Sequence, residues 1–144
     1  MSRLIFVNLP VADLAAARAF YEAIGFTNNP QFTDETAACM VLTDTIHVML
    51  LTHEKFAQFT PKKIADAKTT SEVLICISAE SREEVDEITG KALAAGGSEP
   101  REKQDYGFMY GRSFEDPDGH IWEPMWMDME AATAAMAQPE PVSA

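Results

Sequence analysis

Residues 4–26 read LIFVNLPVADLAAARAFYEAIGF and contain one complete passage from strand to helix. Leu4 to Val11 is an apolar run rich in branched side chains, closed by Pro10 and the polar Asp13, and this fits a largely buried strand. Asp13 supplies an N-cap. Leu14, Ala17, Tyr21 and Ile24 then recur at helical spacing, and Gly25 stands where a left-handed residue ends a helix. Beyond the turn signal Asn28-Asn29-Pro30, the pattern predicts a short strand over Gln31 to Thr33. Ala37 to Leu42 and Thr45 to Leu51 follow as a hairpin about Thr43-Asp44, a link without the glycine that a primed turn prefers.

The same order of elements then returns, which makes the chain an internal duplication. Glu72 to Ser78 predicts a strand. Ser81-Arg82-Glu83-Glu84 matches a capping box, opening a helix with Val85, Ile88 and Ala92 inward that ends at Gly96-Gly97. Strands follow at Pro100 to Lys103, Phe108 to Phe114 and His120 to Met127, the last two joined by the turn Asp116-Pro117-Asp118-Gly119. Each half, about 3–52 and 71–128, is a strand, a helix and three strands, with 53–70 as connector and one helical turn around Glu54 to Phe59. A four-stranded sheet with one helix covers only one of its faces, so the halves must share the others. Residues 1–130 therefore read as a single domain, and 131–144, Ala-rich and then Pro-Glu-Pro-Val-Ser-Ala, as a C-terminal tail.

Composition narrows the partners. At 144 residues with 47% apolar and 24% charged, the chain has the make-up of a folded globular protein. Its apolar runs fall far short of the roughly 20 residues a membrane span needs. No secretory leader pattern opens the chain, so a cytoplasmic location is expected. Eleven Lys and Arg against 23 Asp and Glu give a net charge of −12, which repels nucleic-acid backbones and anionic membranes. Lys55, Lys62, Lys63 and Lys68 crowd the connector; they could steer an anionic small molecule, but the simpler reading is a solvated loop. Glu80, Glu83, Glu84, Asp86 and Glu87 read as the acidic opening of a helix. Cys39 and Cys76 each lie alone in an apolar run and read as small buried hydrophobes. No nucleophile triad, phosphate-cradling Gly loop or dinucleotide fingerprint is present.

Residues 8–26 resemble the first strand and helix of the vicinal oxygen chelate superfamily, and FEDPDGHIWE at 114–123 is similar to its closing hairpin. That superfamily holds the glyoxalase, bleomycin-resistance, fosfomycin-resistance and extradiol-dioxygenase proteins. The resemblance implies an α+β fold in which two βαβββ modules form a cupped, mostly antiparallel eight-stranded sheet. It further implies a divalent metal in the cup, held by His, Gln or Glu side chains from four strands. Carried over position by position, the last ligand matches Glu123 and the first-strand ligand falls on Phe6, which cannot bind a metal. The ligand on the last strand of the first half falls on Met49 or, two residues earlier, on His47, and the strand opening the second half offers Glu72. Glu123, Glu72 and His47 thus form an incomplete metal set. No cofactor is demanded, and a divalent metal is the one the resemblance allows.

Period-two alternation places Phe6, Asn8 and Pro10 with His47, Met49 and Leu51, with Glu72, Leu74 and Cys76, and with Ile121, Glu123 and Met125 on the side the resemblance assigns to the cup. Trp122 and Trp126 fall on the opposite, packed side. Glu123 is the candidate catalytic residue, as metal ligand or general base; the plainer alternative is a carboxylate paired with Arg112 or Lys103 in a partly wet groove. Tyr106 and Tyr110, flanking Gly107-Phe108-Met109, are candidates for a flap over a ligand. The candidate ligand-binding residues are Phe6, Asn8, His47, Met49, Glu72, Tyr106, Tyr110 and Arg112. Two functions compete: a lyase, isomerase or dioxygenase-like enzyme, or a non-catalytic protein that sequesters a small organic molecule, a cation being favoured by the net charge. A homodimer is expected, since an exposed sheet edge needs cover.

Overall fold

The computed structural model describes residues 2–137; the end of the expected tail, 138–144, lies outside the described residues. The first half comprises β1 (Ile5–Val11), α1 (Leu14–Ala23), β2 (Thr27–Asn29), β3 (Ala37–Val41) and β4 (Ile46–Thr52). After α2 (His53–Ala57) the second half comprises β5 (Leu74–Ser78), α3 (Arg82–Ala94), β6 (Gln104–Asp105), β7 (Met109–Gly111), β8 (Phe114–Glu115) and β9 (Ile121–Met127). A closing helix α4 spans Met129–Ala137.

Both helices begin and end as their sequences dictate. The Asp13 carboxylate accepts from the backbone N–H of Ala16, and Gly25, at φ 112°, takes the conformation that carries the chain out of α1. The Ser81 hydroxyl accepts from the N–H of Glu84 at the start of α3. The short elements depart from expectation. Pro30 opens a 3-10 turn over Pro30–Phe32, capped by the Asn29 side chain, where a strand was expected, and the strand lies earlier at Thr27–Asn29. The hairpin link widens to residues 42–45, because a two-residue primed turn needs positive φ and, among the described residues, no non-glycine residue adopts it. The Thr43 hydroxyl instead accepts from the N–H groups of Thr45 and Ile46. The strand expected at Pro100 to Lys103 forms at Gln104–Asp105.

The strands form two sheets, of order β1-β4-β3-β2 and β5-β9-β7-β6, with β8 pairing β9. In both, the first strand of the half runs parallel to the last and the remaining pairs are antiparallel. The fold is the expected α+β one, with nine strands instead of eight because the expected seventh, Phe108 to Phe114, is interrupted. β7 and β8 are one strand broken opposite Pro124: the N–H of Arg112 still donates to the Pro124 carbonyl at 3.2 Å, but proline has no N–H to return the bond.

A single apolar core joins the halves on the helix-bearing faces. Val11, Ala17, Phe20, Tyr21, Met40, Val48 and Leu50 from the first half pack with Ile77, Ala92, Phe114 and Trp122 from the second. Trp122 is fully buried and meets Tyr21 and Phe26 edge-on, as its packing assignment predicted. Cys39 is buried, whereas Cys76 is exposed, since it lies on the open face of the second sheet.

Polar bonds then lock the junction. The Trp122 indole donates to the Tyr21 hydroxyl at 2.9 Å, and Tyr21 donates to the buried Asp116 carboxylate at 2.6 Å. The other Asp116 oxygen accepts from the N–H groups of Asp118 and His120, both at 2.9 Å, closing the tight turn. From that turn Asp118 accepts the N–H of Ala12, and His120 Nε2 lies 2.8 Å from the Pro10 carbonyl, so the end of β1 is tied to the start of β9. Burial pushes Asp116 above the usual carboxylate range, against the pull of His120 and the Tyr21 hydrogen bond. Burial, then the Asp116 charge, pushes the Tyr21 phenol well up.

Candidate functional site

The open face of the first sheet is set by strand register. Phe6 pairs with His47 and Asn8 with Met49 across β1 and β4. The Phe6 and His47 rings stack with centroids 4.5 Å apart at 19°. No slip of register is needed to bring the imidazole beside the position where the resemblance puts a first-strand ligand, but that position holds a phenyl ring. His47 Nδ1 is buried without a hydrogen-bond partner.

On the second sheet, Cys76 pairs with Glu123 across β5 and β9. Gly111 pairs with Met125 and Phe114 with Trp122, so Ser113, between them, stands opposite Glu123. Its hydroxyl is, among the described residues, the other buried side-chain polar atom without a partner. Partial burial, and next the Glu123 charge, raise the Cys76 thiol. The ion pair of Glu123 is with Arg101, at 3.8 Å, and not with Arg112 or Lys103. Glu72 falls outside β5, is exposed, and does not share a ladder with Glu123.

Two of the other candidates face away from this surface. Tyr110 is buried and donates to Asp86 on α3 at 2.6 Å. Arg112 binds Asp86 through Nη1 and Glu99 through Nε and Nη2, at 2.9–3.0 Å. These carboxylates are held below the usual range, Glu99 by its Arg112 bonds and Asp86 by Tyr110 and then Arg112. Tyr106 is exposed at the tip of the β6–β7 turn. That turn is fastened to α3, because Arg82 grips Asp105 with both terminal nitrogens and bonds the Gly107 carbonyl, while lying over the Tyr110 and Trp126 rings. Asp105 is held at about 2 by its Arg82 bonds and then by the Gly107 N–H, which donates to it at 2.9 Å. Of the two residues expected to form a flap, Tyr110 thus joins the hairpin to the helix, and Tyr106 stays exposed at the tip of a turn that is fastened down.

The metal set does not assemble. Among the described residues, no three His, Cys, Asp or Glu side chains stand together as a group able to hold an ion. His47 is stacked on a ring, Glu123 is paired with an arginine and Glu72 lies off the strand, so the donors present do not fit the ion the resemblance implies.

A different site does assemble, at the seam between the sheets. β1 and β5 are the terminal strands of their sheets and have no ladder to each other. Beside them lies a cavity of about 360 Å³. Its apolar lining comes from Val7 and Leu9 on β1, Ile75 on β5 and Ile121 on β9, with Phe56 and Ile64 from the connector as roof. Asn8, Thr60, Glu72 and His120 add polar groups, and Lys62 and Lys63 line it while remaining exposed. The connector is seated where Gly119 leaves room: a Cβ there would stand 2.7 Å from the backbone of Ala67 and Lys68. Of the predicted residues, Asn8 and Glu72 belong to this cavity. The connector's share was missed, because its lysines and Pro61 look like a solvated loop. The signal available was the apolar set Phe56, Ile64 and Ala67, all half-buried, embedded in that polar stretch.

The paired, duplicated sheets with a helix in each half and a glutamate beyond the last turn are those of the vicinal oxygen chelate fold. A sequence profile for the bleomycin resistance protein-like N-terminal family matches residues 3–42. Among solved structures, a hypothetical protein from S. aureus is 29% identical, with a TM-score of 0.73 over 88% of this chain and 95% of that one. A glyoxalase/bleomycin resistance protein/dioxygenase family enzyme from Burkholderia phytofirmans PsJN is 20% identical, with a TM-score of 0.72 over 88% and 99% of the two chains. A lactoylglutathione lyase from Agrobacterium tumefaciens is also 20% identical, at 0.64 over 88% and 94%. No curated protein sequence matches the chain. The N-terminal profile and the structural neighbours thus agree with the fold that the resemblance implies, one this chain shares with glyoxalase/bleomycin resistance/dioxygenase proteins.

Proposed function

We propose that this protein binds a small organic molecule without the help of a metal ion, in the seam cavity between its two half-sheets, and acts by sequestering it. The observation that carries this reading is the cavity itself: about 360 Å³, walled by branched and aromatic side chains, with a few polar groups at fixed places. That size and make-up are those of ligand pockets generally. The Phe6–His47 stack supports the non-catalytic version, since it fills the place of a chelating side chain with packed rings.

The test is an amide-resonance titration with benzamide, a neutral ring compound. Shifts are expected at Asn8, Phe56, Ile75 and Ile121, and Thr60→Trp, which fills the cavity from its connector wall, should abolish them. Shifts confined to Phe6, His47 and Glu123, or none at all, would overturn the placement. A metal-dependent lyase or dioxygenase would need about one divalent ion per chain after incubation with Ni, Zn, Mn and Fe, because a resident site binds stoichiometrically. Elemental analysis is expected to find far less. A full equivalent that Glu123→Gln removes would restore the enzyme reading.

A further inference from the structure

The lining of the seam cavity carries three formally charged side chains, Lys62, Lys63 and Glu72, together with His120. Among the described residues neither lysine makes an ion pair with any carboxylate, Glu72 included. His120 is already engaged with the Pro10 carbonyl through Nε2. Asp66, the nearest acid along the connector, accepts the Lys68 N–H in its own turn and makes no ion pair with either lysine. Lys55 stands 5.6 Å over the Phe59 ring.

Charge along the chain is distributed to match. The segment 53–72 carries four of the eleven Lys and Arg residues but only three of the 23 acids. The chain as a whole repels anions, yet the rim of the seam cavity presents two cations that, among the described residues, stand outside any ion pair. Two ammonium groups against one carboxylate leave the lining with a surplus of one positive charge. A cation would be repelled there, and a neutral guest would leave both ammonium groups without a counter-charge.

Resting on the binding function proposed above, we infer that the guest is an organic monocarboxylate with an aromatic or branched aliphatic body. Its carboxylate meets Lys62 and Lys63 at the rim, and its body lies against Val7, Ile64, Ile75 and Ile121. This reverses the cationic preference that the net charge alone suggests, because the field at a site is set by its nearest charges once distant ones are screened beyond about 8–10 Å at physiological salt.

Calorimetric titration of the full chain with benzoate, benzamide and benzylammonium tests it. Benzoate is expected to bind most tightly and benzylammonium least, with the benzoate preference shrinking as salt rises. The double variant Lys62→Gln, Lys63→Gln should weaken benzoate about three- to tenfold, the range for partly exposed charge contacts, and leave benzamide unchanged. Phe6→Ala, on the open sheet face, should change neither. Equal binding of benzoate and benzamide, or a benzoate affinity indifferent to both lysines, would overturn the inference while leaving cavity binding intact. Failure of all three compounds would bring down the underlying function with it. A stronger response to inorganic phosphate than to benzoate would reject the monocarboxylate.

Discussion

Tyr21 joins the two halves through one oxygen, which accepts from Trp122 and donates to Asp116 in a fully buried setting. Tyr21→Phe leaves an indole N–H and a carboxylate oxygen without partners, and each orphan costs about 1–3 kcal/mol. Urea unfolding should therefore show a loss of about 2–5 kcal/mol from this single atom, at an unchanged slope. A loss below 1 kcal/mol would mean that water reaches the junction. The sign of the pH effect follows from the raised phenol. Its stabilisation is complete below the unfolded tyrosine value of about 10 and is lost as pH rises through the higher folded value. The Phe variant should lack that alkaline component. Gly119 poses a different demand at the same turn: its φ of +94° and the 2.7 Å approach to Ala67 both exclude a side chain. Gly119→Ala should unseat the connector, so that benzamide binding falls more than stability does.

At the level of elements, sequence was most informative where one residue type has one job. Asp13, Ser81, Gly25 and the Asp116–Gly119 turn are each where their chemistry put them, and so is β9. The short strands β2 and β6 were displaced, because their ladders are set by neighbours distant in sequence. β8 separates from β7 only because Pro124 lies across from Arg112. Candidate site residues suffered the same blindness: alternation places Tyr110 and Arg112 on a face, but only the sheet's contact with α3 says that this face is packed. The Arg112 cluster makes that contact testable. Glu99 and Asp86 are held below the usual carboxylate range, so their contribution is present above about pH 4 and lost as pH falls through the depressed values. Arg112→Gln should lower the thermal midpoint at pH 7 and flatten its decline between pH 5 and pH 3, as about the range where carboxylates titrate. An unchanged acid limb would show that the Arg112 pairs add nothing to the hold between α3 and the sheet, leaving it to the Arg82–Asp105 clamp, the Tyr110–Asp86 bond and apolar contacts.

For the whole molecule, the open question of the fold is its edges. β1 and β5 end their sheets, and the side chains about them are exposed: Leu4, Ile5 and Phe6 on one, Val73 and Leu74 on the other, each about half accessible. Unpaired strands bearing large apolar groups invite association, and soluble proteins cover them or blunt them with charge. Here neither strand carries a charge: Arg3 and Asp13 flank β1, and Glu72 and Glu80 flank β5. A charge of −12 opposes random aggregation, so the association that survives is one with a large, specific apolar contact. A homodimer is the expected solution, with the open faces that carry the Phe6–His47 stack and the Cys76–Glu123 pair in or beside the contact. Sedimentation equilibrium should then give twice the 15.9 kDa chain mass at micromolar concentration. Ile5→Lys with Leu74→Lys should shift the equilibrium to monomer without loss of helix content, since neither residue is in the core. Because the seam cavity is built within one chain, benzamide binding should survive that dissociation. A chain that sediments as monomer at every concentration would end the dimer expectation, and a dimer that loses its cavity on dissociation would move the site to the interface.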